Sequence, residues 1–172
     1  MTRPDVRVWK FGDDVNTDLI ISGGYLDNYD PVHLASHAME AVRKDFATGV
    51  RKGDVIVAGS NFGCGSSREQ AVIALKASGV SAVVAKSFAR IFYRNAINLG
   101  LPALMSSEAS HVFSDGDVVL LDSVLSQLKS GDGTRRADIE RPPAHIEGIL
   151  EAGGLVPYLK SKLRAQRTNK NV

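Results

Sequence analysis

The densest chemistry in the sequence is Gly59-Ser60-Asn61-Phe62-Gly63-Cys64-Gly65-Ser66-Ser67-Arg68-Glu69-Gln70, directly after the apolar run Val55-Ile56-Val57-Ala58. The spacing reads as a buried strand, a glycine-rich loop over Gly59–Gly65 and a helix over Ser66–Ser78 that Gly79 closes. Such a junction presents unpaired backbone N–H groups and the positive end of a helix dipole, which together attract phosphate or carboxylate. A Walker loop is excluded because no Gly-Lys-Ser/Thr is present, and Gly63-Cys64-Gly65 has Arg68 where a dinucleotide fingerprint needs a third glycine. Two roles then compete for the serines. Ser66-x-x-Glu69 and Ser67-x-x-Gln70 each fit a capping box. Against capping stands Arg68, in a first turn where the dipole disfavours a cation but where a planar fork suits a substrate carboxylate. A serine in that field can serve as a base, since the dipole and the guanidinium stabilise its alkoxide.

The elements that must position this loop follow from the hydrophobic pattern. Val6–Phe11 is a short strand, and Gly12-Asp13-Asp14-Val15-Asn16-Thr17-Asp18 after it is rich in turn formers. Leu34, Ala38, Met39, Val42 and Phe46 recur at helical spacing, which predicts one amphipathic helix from Pro31 to Phe46. Ser81–Ala85 is another strand and Phe88–Leu99 a helix closed by Gly100. Strands separated by helices of this length imply parallel pairing with right-handed crossovers. Later, Ser114-Asp115-Gly116-Asp117 and Ser130-Gly131-Asp132-Gly133 read as hairpin turns around Val118–Leu121 and Ala137–Glu140, so antiparallel pieces join a partly parallel core. A last helix runs from Pro143 to Glu151 before Gly153-Gly154.

Composition narrows the class. The chain has 172 residues, 44% hydrophobic and 23% charged, the profile of one soluble globular domain. Its net charge of +2 conceals an asymmetry: Lys160, Lys162, Arg164, Arg167 and Lys170 lie in a stretch without Asp or Glu, and without them 16 basic residues face 19 acidic ones. A mildly acidic body with a basic tail argues against a nucleic-acid-binding face. We expect a domain over residues 1–163 and a flexible basic tail over 164–172. No apolar run reaches membrane-spanning length and Met1–Asp5 has no signal-peptide core, so the expected location is cytoplasmic, with no membrane partner. A single cysteine, Cys64, builds no disulfide framework and no structural metal site, so any cluster must be held mostly by another chain.

Three blocks carry a family resemblance. Asp13-Asp14-Val15-Asn16-Thr17-Asp18, Gly59 to Arg68 with Glu69, and Lys86-Ser87-Phe88-Ala89-Arg90-Ile91-Phe92 resemble, in order, the hallmark blocks of the swivelling domain of the aconitase superfamily. As a chain ending its body at Glu151-Ala152-Gly153-Gly154-Leu155, the sequence resembles the small subunits of 3-isopropylmalate dehydratase and homoaconitase over roughly residues 6–159. The resemblance implies an α/β fold of three layers, β/β/α, with a partly parallel core sheet and antiparallel additions. It implies a hydro-lyase that dehydrates and rehydrates a hydroxy diacid, paired with a large subunit that carries a [4Fe-4S] cluster. It assigns Ser66 as the base for the carbon-bound proton, Ser67 and Arg68 as substrate contacts, and Thr17 and Asp18 to the cleft; no residue of this chain becomes a metal ligand.

Two positions depart from the family pattern. Gln70 stands where relatives usually have His after Arg-Glu. In the segment Tyr25-Leu26-Asp27-Asn28, which in relatives lines the substrate's variable group, Asp27 replaces an apolar residue or arginine, and Gly23-Gly24 replaces an aconitase-like arginine. A carboxylate there repels a further carboxylate and is costly against an isopropyl group, so a smaller or hydroxylated substituent is expected unless Asp27 turns away to cap the next turn. The substrate expected first is therefore 3-isopropylmalate-like, with dimethylmalate-, citramalate- and homoaconitate-type acids as alternatives. A non-catalytic anion-binding module is the rival from another class. His33 and His37, four apart, lack a third ligand and are expected on a solvated face. Trp9 is expected in the core or at a subunit contact, and Arg90 and Arg94 at the surface.

Overall fold

The computed structural model describes residues 6–122 and 126–169. The elements in chain order are β1 (Val6–Lys10), α1 (Thr17–Ile20), a 3-10 turn (Gly23–Tyr25), α2 (Pro31–Ser36), α3 (Phe46–Gly49), β2 (Val55–Ala58), α4 (Glu69–Ala77), β3 (Ala82–Ala85) and α5 (Arg90–Leu99). There follow β4 (Ala103–Met105), α6 (Ala109–Val112), β5 (Val118–Asp122), β6 (Gln127–Ser130), β7 (Arg136–Asp138), α7 (Ala144–Glu151) and α8 (Leu155–Asn169).

The strands form one sheet in the order β4-β3-β2-β1-β5-β6-β7. From β1 to β4 all pairs are parallel, and from β1 through β5 and β6 to β7 all are antiparallel. Each crossover steps the same way along the sheet, and the right-handed rule then puts the crossover helices on one face. The two-residue alternation of the strands shows this division: Trp9, Ile56, Ala58, Val83 and Ala85 join a core with the helices, while Val8, Val55, Val57 and Val84 join a second core with Val119, Leu128 and Ala137. The antiparallel half of the sheet thus curls back, together with α6 through Ala109 and Phe113, over the face the crossover helices leave bare. This yields the expected three layers, β/β/α.

The run from Pro31 to Phe46 departs from expectation. The helix ends at Ser36, Met39 takes a left-handed φ of 60°, and its N–H donates to the Ile20 carbonyl at 2.8 Å rather than back along a helix. Leu34, Ala38, Met39 and Phe46 are buried nonetheless, by irregular turns, whereas Val42 stays 43% exposed. Periodicity identified the buried residues but not the backbone that buries them. Likewise Ser114–Asp117 is a turn from α6 into β5 and not a hairpin, because β5 pairs with β1 and β6. Ser130–Gly133 is the β6–β7 hairpin turn, in which Asp132 accepts from the Ser130 hydroxyl and from the N–H and hydroxyl of Thr134; these bonds lower its carboxyl pKa to about 2. α8 continues through Arg164 to Asn169 as one helix.

Under β1, Asp54 is 4% exposed and accepts hydrogen bonds from Trp9 Nε1 (2.8 Å) and from the backbone N–H groups of Arg51 (2.9 Å) and Arg7 (3.1 Å). Trp9, 3% exposed, is therefore a core residue with its polar edge satisfied. Burial alone would raise the Asp54 pKa, but the Trp9, Arg51 and Arg7 donors and the Arg7 charge outweigh it and hold the carboxyl below its ordinary value. A depressed folded pKa gives stability that is present above the unfolded carboxylate value near ~3.9 and lost as pH falls through the folded value. Asp54→Asn is expected to lower stability by about 1–3 kcal/mol at neutral pH and to shallow the acid limb of a thermal-melt series, because buried donors lose their charged acceptor. An unchanged melt at pH 7 would refute that role.

Candidate functional site

The carboxyl ends of β1, β2 and β3 lie on one edge of the sheet, the edge at which open α/β sheets bind ligands. Their following loops, which hold the three hallmark blocks, are tied together by hydrogen bonds. Asp13 Oδ1 accepts from the Ser60 N–H (2.6 Å), and Asn61 Nδ2 donates to Asp14 Oδ1 (2.8 Å). The Asn61 N–H donates to the Ser87 hydroxyl (2.8 Å), and the N–H groups of Gly63 and Thr17 donate to the carbonyls of Val15 (2.7 Å) and Cys64 (2.8 Å). Gly63 has a φ of 78°, and a Cβ on it would stand 2.1 Å from Cγ of Phe92, so only glycine lets the loop lie on the α5 aromatic floor.

This bracing removes one of the two roles weighed for the serines, the cap. α4 begins at Glu69, not Ser66; its N-cap is Arg68, extended at φ −130° and ψ 106°, with no side-chain capping bond. Neither Ser66 nor Ser67 closes a capping box, and both are exposed. What holds residue 66 is Thr17: this threonine is 2% exposed and its hydroxyl donates to the Ser66 carbonyl at 2.9 Å. The sequence places Thr17 in the cleft; the structure turns it inward, beneath Ser66. Cys64 is a half-buried loop residue.

Arg68 is the second anchored group. Its Nη1 pairs with Asp18 Oδ1 at 2.6 Å and donates to the Ile21 carbonyl at 3.2 Å, with the side chain 16% exposed. Asp18 thus orients Arg68 from α1. Beyond Ile21, the 3-10 turn leads to Tyr25, Leu26, Asp27 and Asn28. Leu26 is half-buried, while Asp27 and Asn28 are exposed. The alternative role of Asp27 as a cap is excluded, since Asp30 caps α2 by accepting from the His33 N–H at 3.0 Å, and Asn28 Oδ1 accepts from the Asp30 N–H at 2.8 Å.

Sequence reasoning missed three supports of this segment. The Tyr25 ring stacks on His37 at 3.7 Å, and its hydroxyl donates to Glu40 at 3.4 Å. His37 Nδ1 lies 2.7 Å from Glu40, a bond that holds the Glu40 carboxyl below its ordinary pKa. His37 therefore packs against the loop instead of standing on a solvated face, and His33 lies 5.1 Å away, ring edge to face. Gln70, 8% exposed, donates from Nε2 to the Leu26 carbonyl at 3.3 Å. Arg90 and Arg94 are exposed on α5 as expected. A groove lined by Leu104, Leu121, Ile139 and Glu147 includes none of the residues just named.

A family model for the aconitase C-terminal domain matches residues 16–109. The chain belongs to that family. The matched span runs from Asn16 through the serine loop and α5, so it contains every candidate site residue. The chain is 53% identical over 156 residues to the methanogen homoaconitase small subunit of Methanothermobacter thermautotrophicus, covering 90% of each chain. It is 49% identical over 157 residues to the 3-isopropylmalate dehydratase small subunit of Wolinella succinogenes, covering 91% of this chain and 93% of the relative. The crystal structure of 3-isopropylmalate dehydratase LeuD from Methanocaldococcus jannaschii superposes with a TM-score of 0.91 at 50% identity, over 96% of this chain and 98% of that one. Relatives named as small subunits of 3-isopropylmalate dehydratase and homoaconitase thus match this chain nearly end to end.

Proposed function

We propose that this subunit orients a hydroxy diacid and moves its carbon-bound proton, with Ser66 as the base, in an iron–sulfur hydro-lyase completed by the large subunit. The observation that carries the reading is the pair of exposed, non-capping serines beside an arginine that Asp18 has already aimed. In the dehydration direction the Ser66 alkoxide takes the proton from carbon, the C–H electrons form the alkene, and the hydroxyl on the neighbouring carbon leaves; hydration on the other carbon reverses these steps. Ser67 donates a hydrogen bond to the substrate, Arg68 binds a carboxylate, and Thr17 fixes the backbone of Ser66.

In this family a [4Fe-4S] cluster supplies the Lewis acid for the leaving hydroxyl. The described residues of this chain do not suit such a group: no three or more of their His, Cys, Asp or Glu side chains are placed together so as to hold a metal ion, and Cys64 is the chain's one thiol. We therefore assign the cluster to the large subunit, which closes the open serine face and excludes water from it. No helix among the described residues is long and apolar enough to cross a membrane. We propose a cytoplasmic enzyme, and its mildly acidic body argues against a nucleic-acid partner.

For the substrate we propose a C3-substituted malate of the 3-isopropylmalate class. The exposed Asp27, free of a capping duty, favours a smaller or hydroxyl-bearing substituent over the isopropyl group itself. The test is anaerobic reconstitution of both subunits and competition among 3-isopropylmalate, 2,3-dimethylmalate, citramalate, citrate and homocitrate, read as alkene absorbance. Asp27→Val is expected to shift kcat/KM toward 3-isopropylmalate by about tenfold, the scale of one methylene-sized pocket change. Should 3-isopropylmalate win outright with Asp27→Val neutral, Asp27 does not face the substituent. No turnover of any hydroxy acid by a cluster-replete complex would favour the anion-binding module.

A further inference from the structure

The segment from Ser22 to Asn28 carries the residues assigned to the substrate's variable group; Tyr25 and Leu26 in it pack against the core, while its glycines do not rest on the body of the protein. A Cβ added at Gly23 or at Gly24 would meet nothing within 4 Å, so this part of the turn stands clear of its surroundings. The hydrogen bonds inside it, Tyr25 N–H to the Ser22 carbonyl (3.1 Å) and Leu26 N–H to the Gly23 carbonyl (3.4 Å), give the turn its shape but not its place. Place comes from the Tyr25 ring on His37, from Leu26 against the core, and from one side-chain tether at each end. At the entry, Arg68 donates to the Ile21 carbonyl, and at the exit, Gln70 donates to the Leu26 carbonyl. The two tethers leave the N-cap and the second residue of one helix, α4, which the serine loop feeds. The loop that meets the substituent and the loop that meets the proton are thereby set against one frame.

The two tethers differ in duty. Arg68 is partly exposed and reserved for a carboxylate, whereas Gln70 is 8% exposed and faces inward. A buried amide is costly without a partner, so its donation to the Leu26 carbonyl is a fixed contact. Leu26 is also the last half-buried residue before the exposed Asp27 and Asn28. The point at which the chain leaves the protein surface toward the substituent is therefore the point Gln70 holds.

We infer that Gln70 is a positioning residue for substituent selection: its amide fixes the Leu26 carbonyl and so sets where Asp27 and Asn28 stand relative to Ser66. The inference rests on the proposed hydro-lyase function and adds to it a determinant that does not touch the substrate. A donor is the requirement, which separates the useful variants. Gln70→Met keeps the length and removes the donor. Gln70→Glu keeps the shape and, when ionised, sets an acceptor against an acceptor. Gln70→His offers a ring N–H and is the conservative rescue.

The experiment uses the complete two-subunit enzyme with matched cluster content. For each variant, kcat and KM are measured on 3-isopropylmalate and on citramalate, and amide hydrogen exchange is followed over residues 22–30. Gln70→Met and Gln70→Glu are expected to change the ratio of kcat/KM between the two acids by about tenfold, the change falling on KM and not on kcat. Exchange at Leu26–Asn28 rises with it, and Gln70→His restores both towards wild type. A purely structural role would lower the amount of folded enzyme without altering the ratio. An unchanged ratio in a folded, active Gln70→Glu enzyme overturns the inference, as does unchanged exchange at Leu26–Asn28 in both donor-less variants. An inactive wild-type complex counts against the hydro-lyase reading, and the exchange data still decide the tether on their own.

Discussion

Replacing Ser66 by alanine is expected to cut turnover of the reconstituted enzyme by about 10²–10⁴, the usual loss when a positioned proton-transfer group is removed. The fold should not notice. Had Ser66 capped α4, the change would cost about 0.5–2 kcal/mol; but the helix starts three residues later, Ser66 is exposed, and the bond that locks residue 66 runs from Thr17 to its backbone carbonyl. That bond survives in alanine. The stability change should therefore stay within about 0.5 kcal/mol, as for ordinary surface substitutions. Turnover and thermal melting thus separate cleanly: a large kinetic loss at constant melting temperature and constant iron content is the signature of a base. Ser67→Ala is the control beside it, with a smaller loss that falls mainly on KM. Near wild-type turnover for Ser66→Ala would leave the serine with no chemical role.

The legible parts of the sequence were those where one physical requirement governs a continuous stretch. Val55–Ala58 is apolar on both sides because it lies between two cores, and Gly63 can only be glycine because Phe92 lies beneath it. β2, the glycine loop, β3 and α5 follow from such local demands, whereas the three-layer arrangement came with the family resemblance. Where a distant partner decides, the pattern misleads. The Pro31–Phe46 period marks buried positions correctly, but the Ile20 carbonyl captures the Met39 N–H and breaks the helix. The two capping boxes have the right letters, but Thr17, 49 residues away from Ser66, holds that segment out of the helix. β4 and β6 escape notice because they are short and, in β6, only Leu128 supplies an apolar core contact. Among candidate site residues, Arg68 was visible by type and position, whereas the choice of Ser66 as the base came with the family resemblance. Gln70 showed as one end of a capping box and as a departure from a family pattern but not as a tether, since nothing in a single sequence tells that a glutamine is buried or which carbonyl it meets.

Arg68→Lys is expected to raise KM by roughly 10- to 150-fold with a smaller change in kcat, and the count of donors explains why. A guanidinium has five N–H groups. The two on Nη1 are occupied by Asp18 and by the Ile21 carbonyl, which leaves those on Nε and Nη2, the edge that binds a carboxylate through two parallel bonds. An ammonium has three donors. If it keeps Asp18 and the Ile21 carbonyl, one remains for the substrate, and the second charge-assisted bond is lost, worth about 1.5–3 kcal/mol, which corresponds to that range of affinity. If it turns to the substrate instead, the Ile21 tether is released, and exchange rises over Ser22–Leu26. Either path penalises binding more than chemistry, because Ser66 is held independently through Thr17. Asp18→Asn tests the orienting half of the same idea: it keeps an acceptor near Nη1 but removes the charge, and should raise KM by less than Arg68→Lys does. Equal KM and kcat for wild type and Arg68→Lys on every accepted acid would make Arg68 a brace for the loop and nothing more.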